Sequence, residues 1–389
     1  SAAKANLLVK NIFFFLFFLS VTVLTGQDNT FRFSDSLRIS LVTGSAGNNL
    51  YTKFGHSTVR VIDYKNGLDV AFNYGTFDFD APGFYLNFLR GKLNYFLSID
   101  RMDQVKRYYT YYQRSLIDQE ILLDPSERQV VAQFLQNNYL PENRFYLYDF
   151  FYDNCATRIR DILETEVEGF SYEKEIKIES YTFRQMLDLY VGDLYWTDFG
   201  MDLILGYPTD KVTDVREQMF LPDYLAQNLT QYAKKDGKPL LATPQPINQV
   251  TPIVQQSSAV LSPLVIMSFL FILSVVLTFF AQEKIRKWFD RVFFMILGLM
   301  GCIMLFMWFG TDHWTTTKNL NVMWANPLFL LLPFLKNNKW IIYLGLAGVA
   351  VVLLGWAILP QQFHIAFLPI LLTIGIRLVD RSGLLKLRK

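Results

Sequence analysis

Between residue 28 and about residue 235, runs of alternating apolar and polar positions are interleaved with runs of helical period. Leu37 to Thr43 reads as a strand, punctuated by Gly44-Ser45-Ala46-Gly47. Ser57 to Asp63 is rich in β-branched residues, and Val70 to Tyr74 follows across a Lys65-Asn66-Gly67 turn, so the two predict a hairpin. Leu93 to Ile99 predicts another strand. Asp124-Pro125-Ser126-Glu127 supplies a cap, a proline at the first helical position and a glutamate at the third, which predicts a helix running to about Asn138. Thr182-Phe183-Arg184-Gln185 is a second start of the same kind. With no regular β-α alternation and no internal repeat, the stretch is α+β.

On either side of it the pattern changes. In residues 1–27, Lys4 and Lys10 precede an apolar run from Ile12 to Leu24, which reads as a signal peptide or N-terminal anchor and places residues 28–235 outside the cytoplasm as an exported domain. Residues 236–258 scatter Pro239, Pro244, Pro246 and Pro252 among Gln, Asn, Thr and Ser, the composition of an extended, unpacked linker. Residues 259–380 hold apolar runs at roughly 260–281, 289–309, 322–335, 340–359 and 363–379, which predict an all-α bundle of about five transmembrane helices. Residues 381–389 form a basic tail. Lys284, Arg286, Lys287 and Arg291 mark one connection and Lys336 and Lys339 another, whereas the alternate loops 310–320 and 360–362 hold one Lys between them. Basic loops face the cytoplasm, so the tail is cytoplasmic and the domain before the linker lies outside, in agreement with the export signal.

Composition adds exclusions. A 51% apolar fraction with 35 Phe and 19% charge fits a soluble domain joined to a membrane unit. A net charge of +2, with Lys and Arg at membrane flanks, argues against nucleic acid. Three scattered His and two Cys give no metal motif, so no metal or other cofactor is expected, and a disulfide framework is excluded.

Those two cysteines carry the chemical question. Cys302 lies in an apolar run and reads as packing. Cys155, in Asp153-Asn154-Cys155, follows an aromatic, strand-like run from Phe145 to Tyr152 and opens a helix-like segment, whose first-turn amides and dipole favour a thiolate and can hold an oxyanion. A lone cysteine is often a small buried hydrophobe, but a free thiol kept in an oxidising compartment points to use. The exported domain has one histidine, His56, at the mouth of a strand behind Gly55. A histidine on a sheet edge facing a cysteine at a helix start is the papain-like arrangement, here in permuted order with the histidine first. Asn73 and then Asp78 are the candidates to orient the imidazole; both serve equally as turn residues.

At these residues the chain resembles the Lnb-type lipoprotein N-acyltransferases. The resemblance rests on Gly55-His56-Ser57-Thr58-Val59-Arg60, Phe72-Asn73-Tyr74-Gly75-Thr76-Phe77-Asp78-Phe79, Phe88-Leu89-Arg90-Gly91-Lys92 and Asp153-Asn154-Cys155-Ala156-Thr157-Arg158. Phe199 to Gly206, Met219 to Tyr224, Asp312-His313-Trp314 and Asn319 to Pro327 extend it through the membrane part. More distantly, it is similar to NlpC-type peptidases and lecithin:retinol acyltransferases. The resemblance implies a Cys155/His56 acyltransferase in the bacterial inner membrane, with its catalytic domain on the periplasmic side. Its acyl donor would be a membrane phospholipid and its acceptor the terminal amine of a diacylated lipoprotein. His313, Asn321 and Asn326 on the outer side, with Lys92, Arg60 and Arg158 as possible phosphate contacts, are the expected substrate-binding residues, each with a bland reading as an interfacial, capping or salt-bridged group. A membrane-anchored cysteine hydrolase of cell-wall peptides or lipids, or a non-catalytic membrane binding module, stands as the alternative.

Overall fold

The computed structural model describes residues 33–250, 258–335 and 339–383. The leader and the last residues of the basic tail lie outside the described residues. The exported part runs β1 (Leu37–Gly44), β2 (His56–Asp63), β3 (Leu68–Thr76), α1 (Phe84–Leu89), β4 (Asn94–Arg101), α2 (Met102–Tyr111), β5 (Leu116–Glu120), α3 (Pro125–Tyr139) and β6 (Phe145–Leu147). It continues through α4 (Cys155–Glu166), β7 (Phe170–Tyr172), α5 (Phe183–Val191), α6 (Tyr195–Ile204), α7 (Val215–Gln218), α8 (Pro222–Tyr232), β8 (Ala233–Lys235), β9 (Lys238–Pro239) and β10 (Gln245–Asn248).

The strands form an antiparallel sheet in the order β10-β5-β1-β2-β3-β4-β6. Strand alternation gives each face its own partner. Ile39, Leu41, Val59, Val61 and Phe72 bury one face against Val131 and Leu135 of α3, Ile159 and Leu163 of α4, and Leu225 of α8. Val42 and Ala71 point the other way, to Met102 and Tyr109 of α2. Each such side chain removed from water is worth about 1.5–3 kcal/mol, so the two faces hold α2 and α4 firmly on opposite sides of the sheet. At the start of α3 the Glu127 carboxylate accepts the Asp124 N–H at 2.7 Å, as the capping box requires.

Where it is described, the stretch expected to be an unpacked linker is mostly exposed but is anchored to the sheet at two places. Leu240 and Leu241 are buried, and β10 extends the sheet along β5, with Asn248 Oδ1 accepting the Leu116 N–H at 2.7 Å. Pro246 is tolerated there because β10 is an edge strand. The aromatic run expected as one strand pairs only over Phe145–Leu147 and then turns, since Asp149 Oδ1 accepts the N–H groups of both Phe151 and Tyr152 at 2.9 Å.

Beyond residue 258 the described residues include four long helices, α9 (Pro263–Phe280), α10 (Glu283–Phe309), α11 (Lys339–Gly355) and α12 (Phe367–Ser382). At 1.5 Å per residue the 18 residues of α9 reach about 27 Å, close to the hydrocarbon thickness of a bilayer. The third apolar run is not an α-helix. It is a succession of 3₁₀ turns, Trp314–Thr316, Leu320–Met323 and Pro327–Leu331. Asn319 and Asn326 accept the N–H groups of Asn321 and Leu328, and Pro327 removes a donor, so the local bonds compete with an α-helical ladder. Glycines on the neighbouring helices shield this irregular backbone: a Cβ at Gly301 would lie 2.0 Å from the Ala325 carbonyl oxygen, and one at Gly348 2.1 Å from that of Met323.

The loops expected on the outer side are those that touch the exported domain. Trp314 Nε1 donates to Asp149 Oδ2 at 2.9 Å, Gly206 N donates to the Thr315 carbonyl at 2.8 Å, and His364 lies 3.4 Å from Asp198. At the opposite end Arg286 pairs with Asp380 at 2.8 Å.

α5 is pinned by a buried ionic knot. Arg184 is fully buried, with Nη1 2.6 Å from Asp202 and Nε 2.8 Å from Asp210. Arg184→Met leaves two buried carboxylates unpaired and is expected to cost about 3–5 kcal/mol. In detergent-solubilised protein the apparent melting temperature then falls by roughly 10 °C; an unchanged melting temperature contradicts the account.

Candidate active site

Antiparallel pairing gathers the end of β1, the start of β2 and the end of β3 at one end of the sheet, and the N-terminus of α4 reaches the same place. Two glycines make the approach possible. Gly55 has φ 76°, and a Cβ there would lie 2.9 Å from the Gly44 carbonyl oxygen, so His56 can start β2 tight against β1. Gly75 has φ 87° at the point where the β3–β4 register shifts between Asn73 and Thr76, and a Cβ there would lie 3.9 Å from that of Cys155.

Cys155 is the first residue of α4. Its cap, Asn154, is buried: Oδ1 accepts the N–H groups of Ala156 and Thr157 at 2.8 and 2.9 Å, while Nδ2 donates to the Phe150 and Phe220 carbonyls at 2.7 and 2.8 Å. The sulfur is therefore held by a cap that is itself fixed in both directions. Burial pushes the Cys155 thiol up to about 11, against the opposing pull of the backbone amides of Ser57, Cys155 and Ala156. The helix start, expected to favour a thiolate, is outweighed by desolvation.

His56 opens β2 and immediately precedes Ser57, whose amide faces the sulfur. Burial pushes its imidazole down to about 4, the charge of Arg114 adds to that, and the Asn73 carboxamide opposes it. Asn73 in turn donates through Nδ2 to Asp100 Oδ2, and Ser98 Oγ lies 3.5 Å from the same oxygen. Both groups thus rest neutral, a thiol and an imidazole. That pairing suits proton transfer during attack rather than a standing ion pair.

A cavity of ≈ 570 Å³ opens beside His56, with Asn73, Gly75, Asp100, Tyr109 and Arg114 also in its wall; Cys155 lies behind that wall, next to Gly75. Among the described residues no group of three or more His, Cys, Asp or Glu has the placement to hold a metal ion.

The other expected site residues lie elsewhere. Asp78 is exposed in a turn, accepting the Asp80 N–H at 2.9 Å, and does not orient the imidazole. Arg158 is held by both oxygens of Asp153, at 2.6 and 2.8 Å, and stacks 3.4 Å above the Tyr146 ring, which leaves no free fork for a phosphate. Arg60 is likewise held by Asp69 and Asp118. Lys92 lies 3.4 Å from Asp312, and His313 Nε2 is 3.1 Å from the Phe88 carbonyl, so both join the segment around α1 to the membrane loop. Asn321, fully buried, donates to the Asp202 carbonyl at 3.0 Å and accepts from Trp324 Nε1 at 2.9 Å, and Asn326 caps a 3₁₀ turn. These side chains dock one domain on the other and are absent from the cavity wall. Arg114, Asp100 and Tyr109 are in that wall and were not foreseen. Asp100 on β4 and Tyr109 on α2 have only the periodicity of their elements as a signal, and Arg114, in the connection between α2 and β5, has none, so the register that brings them to His56 is not revealed.

The fold and the site define a protein whose exported α/β domain carries a buried Cys155 and a half-buried His56 at one end of its sheet and is joined to loops of a helical domain with spans long and apolar enough to cross a membrane. A family model described as the Lnb N-terminal periplasmic domain matches residues 30–189, and one described as the Lnb transmembrane domain matches residues 255–387, together about three quarters of the chain. The chain belongs to the Lnb family, an inner-membrane architecture with its N-terminal domain in the periplasm, and membership points to lipoprotein N-acylation. No curated protein and no solved structure matches it.

Proposed function

We propose that the protein moves a fatty acyl chain from a membrane phospholipid, through a Cys155 thioester, to the α-amine of a diacylglyceryl-cysteine lipoprotein. The observation that carries the reading is the bond from Trp314 Nε1 to Asp149 Oδ2: the turn before Cys155 is tied to a loop of the membrane domain, which supports a thiol working at the lipid surface. α1 supports a lipid substrate. It is joined to the same loop and turns Tyr85, Leu86 and Phe88 outward, with Tyr85 78% and Phe88 55% exposed. Phe77, in the cavity wall, packs on Phe84 of α1 with ring centroids 5.9 Å apart, giving an apolar path from that surface to the site.

In the first half-reaction His56 takes the thiol proton as sulfur attacks the ester carbonyl. With the Ala156 and Thr157 amides engaged by Asn154, the N–H of Cys155, joined by that of Ser57, faces the oxyanion. The ester C–O bond breaks, the imidazolium protonates the leaving oxygen, and a lysophospholipid departs. In the second, the amine attacks the thioester, the C–S bond breaks, His56 accepts the amine proton and returns it to sulfur. The half-reactions form a ping-pong cycle without a metal. The His-strand preceding the Cys-helix fits a permuted papain-like domain, and the 3₁₀ segment 314–331 fits a fifth, non-helical membrane crossing.

Intact-mass analysis in phospholipid vesicles tests the reading. One acyl increment is expected per chain, discharged as amide onto a synthetic diacylated lipopeptide with a free α-amine. Discharge to free fatty acid alone makes the protein a hydrolase and ends the transferase proposal.

A further inference from the structure

Resting on that reading, we propose that Arg114 is the anchor for the phosphodiester of the acyl donor, and that it separates the two substrates of the cycle. Arg114 is 4% exposed and lies in the cavity wall that His56 shares. Its Nε donates to the Ser45 carbonyl at 2.8 Å and its guanidinium lies 4.4 Å over the Tyr109 ring, which fixes its plane. Nη2 is buried and makes no hydrogen bond, leaving the Tyr109 ring as the contact of that end of the guanidinium. An unpaired buried guanidinium end is costly, and its fork matches phosphate oxygens. The carboxylate of the cavity, Asp100, is occupied by Asn73 and Ser98 and does not supply the missing counter-charge.

The position suits a donor whose ester carbonyl must reach Cys155. Arg114 and the Tyr109 ring beneath it share the cavity wall with Gly75, where a Cβ would lie 3.9 Å from that of Cys155. A glycerophospholipid carries its phosphodiester a few bonds from its acyl esters and so can engage both. A diacylglyceryl-cysteine has no phosphate. The same cavity therefore has an anionic contact for the first substrate that the second does not use, and departure of the lysophospholipid frees the site for the amine. Binding of the anion also removes the positive charge that depresses the basicity of His56, so the base strengthens when the donor is in place.

The test separates the half-reactions in full-length protein. Arg114→Gln is expected to slow thioester formation from phospholipid vesicles roughly 10- to 100-fold. Acylation by a neutral p-nitrophenyl ester, and discharge of a preformed thioester onto diacylated lipopeptide, feel only the altered basicity of His56, so the ratio of phospholipid to neutral-ester rates falls by roughly the same 10- to 100-fold. Equal losses with both donors make Arg114 a positioning residue for the fold or for His56, and no loss with phospholipid removes it from the site; either overturns the proposal. A measurement on the unaltered protein stands apart from folding of the variant. A soluble glycerophosphodiester competes with the neutral ester, glycerol does not, and inorganic phosphate competes only if a free phosphate is the true ligand. Absence of competition by the glycerophosphodiester overturns the assignment. If unaltered protein takes acyl from the neutral ester and the glycerophosphodiester competes, yet phospholipid yields no thioester, the anion contact stands and the phospholipid-donor reading is what fails.

Discussion

Cys155→Ala is expected to remove the acyl adduct entirely and to lower acyl transfer by at least about 10⁴-fold, since no other described group stands where the thiol does. Ala retains the small buried volume at the head of α4, and the Asn154 cap, which holds the turn through four bonds, does not involve the sulfur. Loss of stability stays near 1 kcal/mol, the scale of a small cavity. The variant thus separates chemistry from folding. Cys155→Ser is expected to be nearly as inert: an alcohol is a far weaker acid than a thiol, and an imidazole with its basicity depressed to about 4 is a poor base for it. Intact mass after exposure to phospholipid vesicles, with recovery of lipoprotein N-acylation in cells as the second readout, decides the matter. Transfer surviving in Cys155→Ala removes Cys155 from the mechanism.

Local signals in the chain translated well into local structure. The Lys65-Asn66-Gly67 turn and the capping sequences at Asp124 and Thr182 each specify their element through bonds within four residues, so β2–β3, α3 and α5 were legible without tertiary knowledge. The charge asymmetry of the loops was legible for the same reason, and the contacts of Trp314, Thr315 and His364 with the exported domain agree with it. What escaped depends on partners distant in sequence. β10 hides in a Pro-rich stretch because Leu240, Leu241 and Ile247 are too few to make a periodic signal, yet an edge of the sheet was waiting for them. The third membrane run is apolar enough to pass for a helix, while Asn319 and Asn326 accept nearby backbone N–H groups and Asn319 and Asn321 donate to carbonyls of α6, which holds the run in short turns. His56, Asn73 and Cys155 could be named as candidates, but the cavity that His56 and Asn73 line is written in the β3–β4 register shift and in the placement of α2.

His56→Gln is the second large effect, and its pH dependence carries more information than its size. Removing a general base is expected to slow thioester formation by about 10²–10⁴-fold near neutral pH. An unperturbed histidine would lose its base form as pH falls through about 6.5. Burial, the charge of Arg114 and the opposing Asn73 leave His56 near 4 instead. Its folded-state value is lowered, so the base form is present above about 4 and is lost only as pH falls through that point. Single-turnover thioester formation in the unaltered protein is therefore flat between roughly pH 5 and pH 8, with its acid limb near 4. In His56→Gln the reaction must wait for thiolate formed without the imidazole. Because burial raises the thiol to about 11, the thiolate fraction climbs about tenfold per pH unit through the accessible range, and the variant's rate should climb with it. The two profiles converge toward alkaline pH. Parallel profiles would mean that His56 positions the sulfur without moving its proton, and an acid limb near 6.5 in the unaltered protein would mean that the imidazole titrates in contact with water.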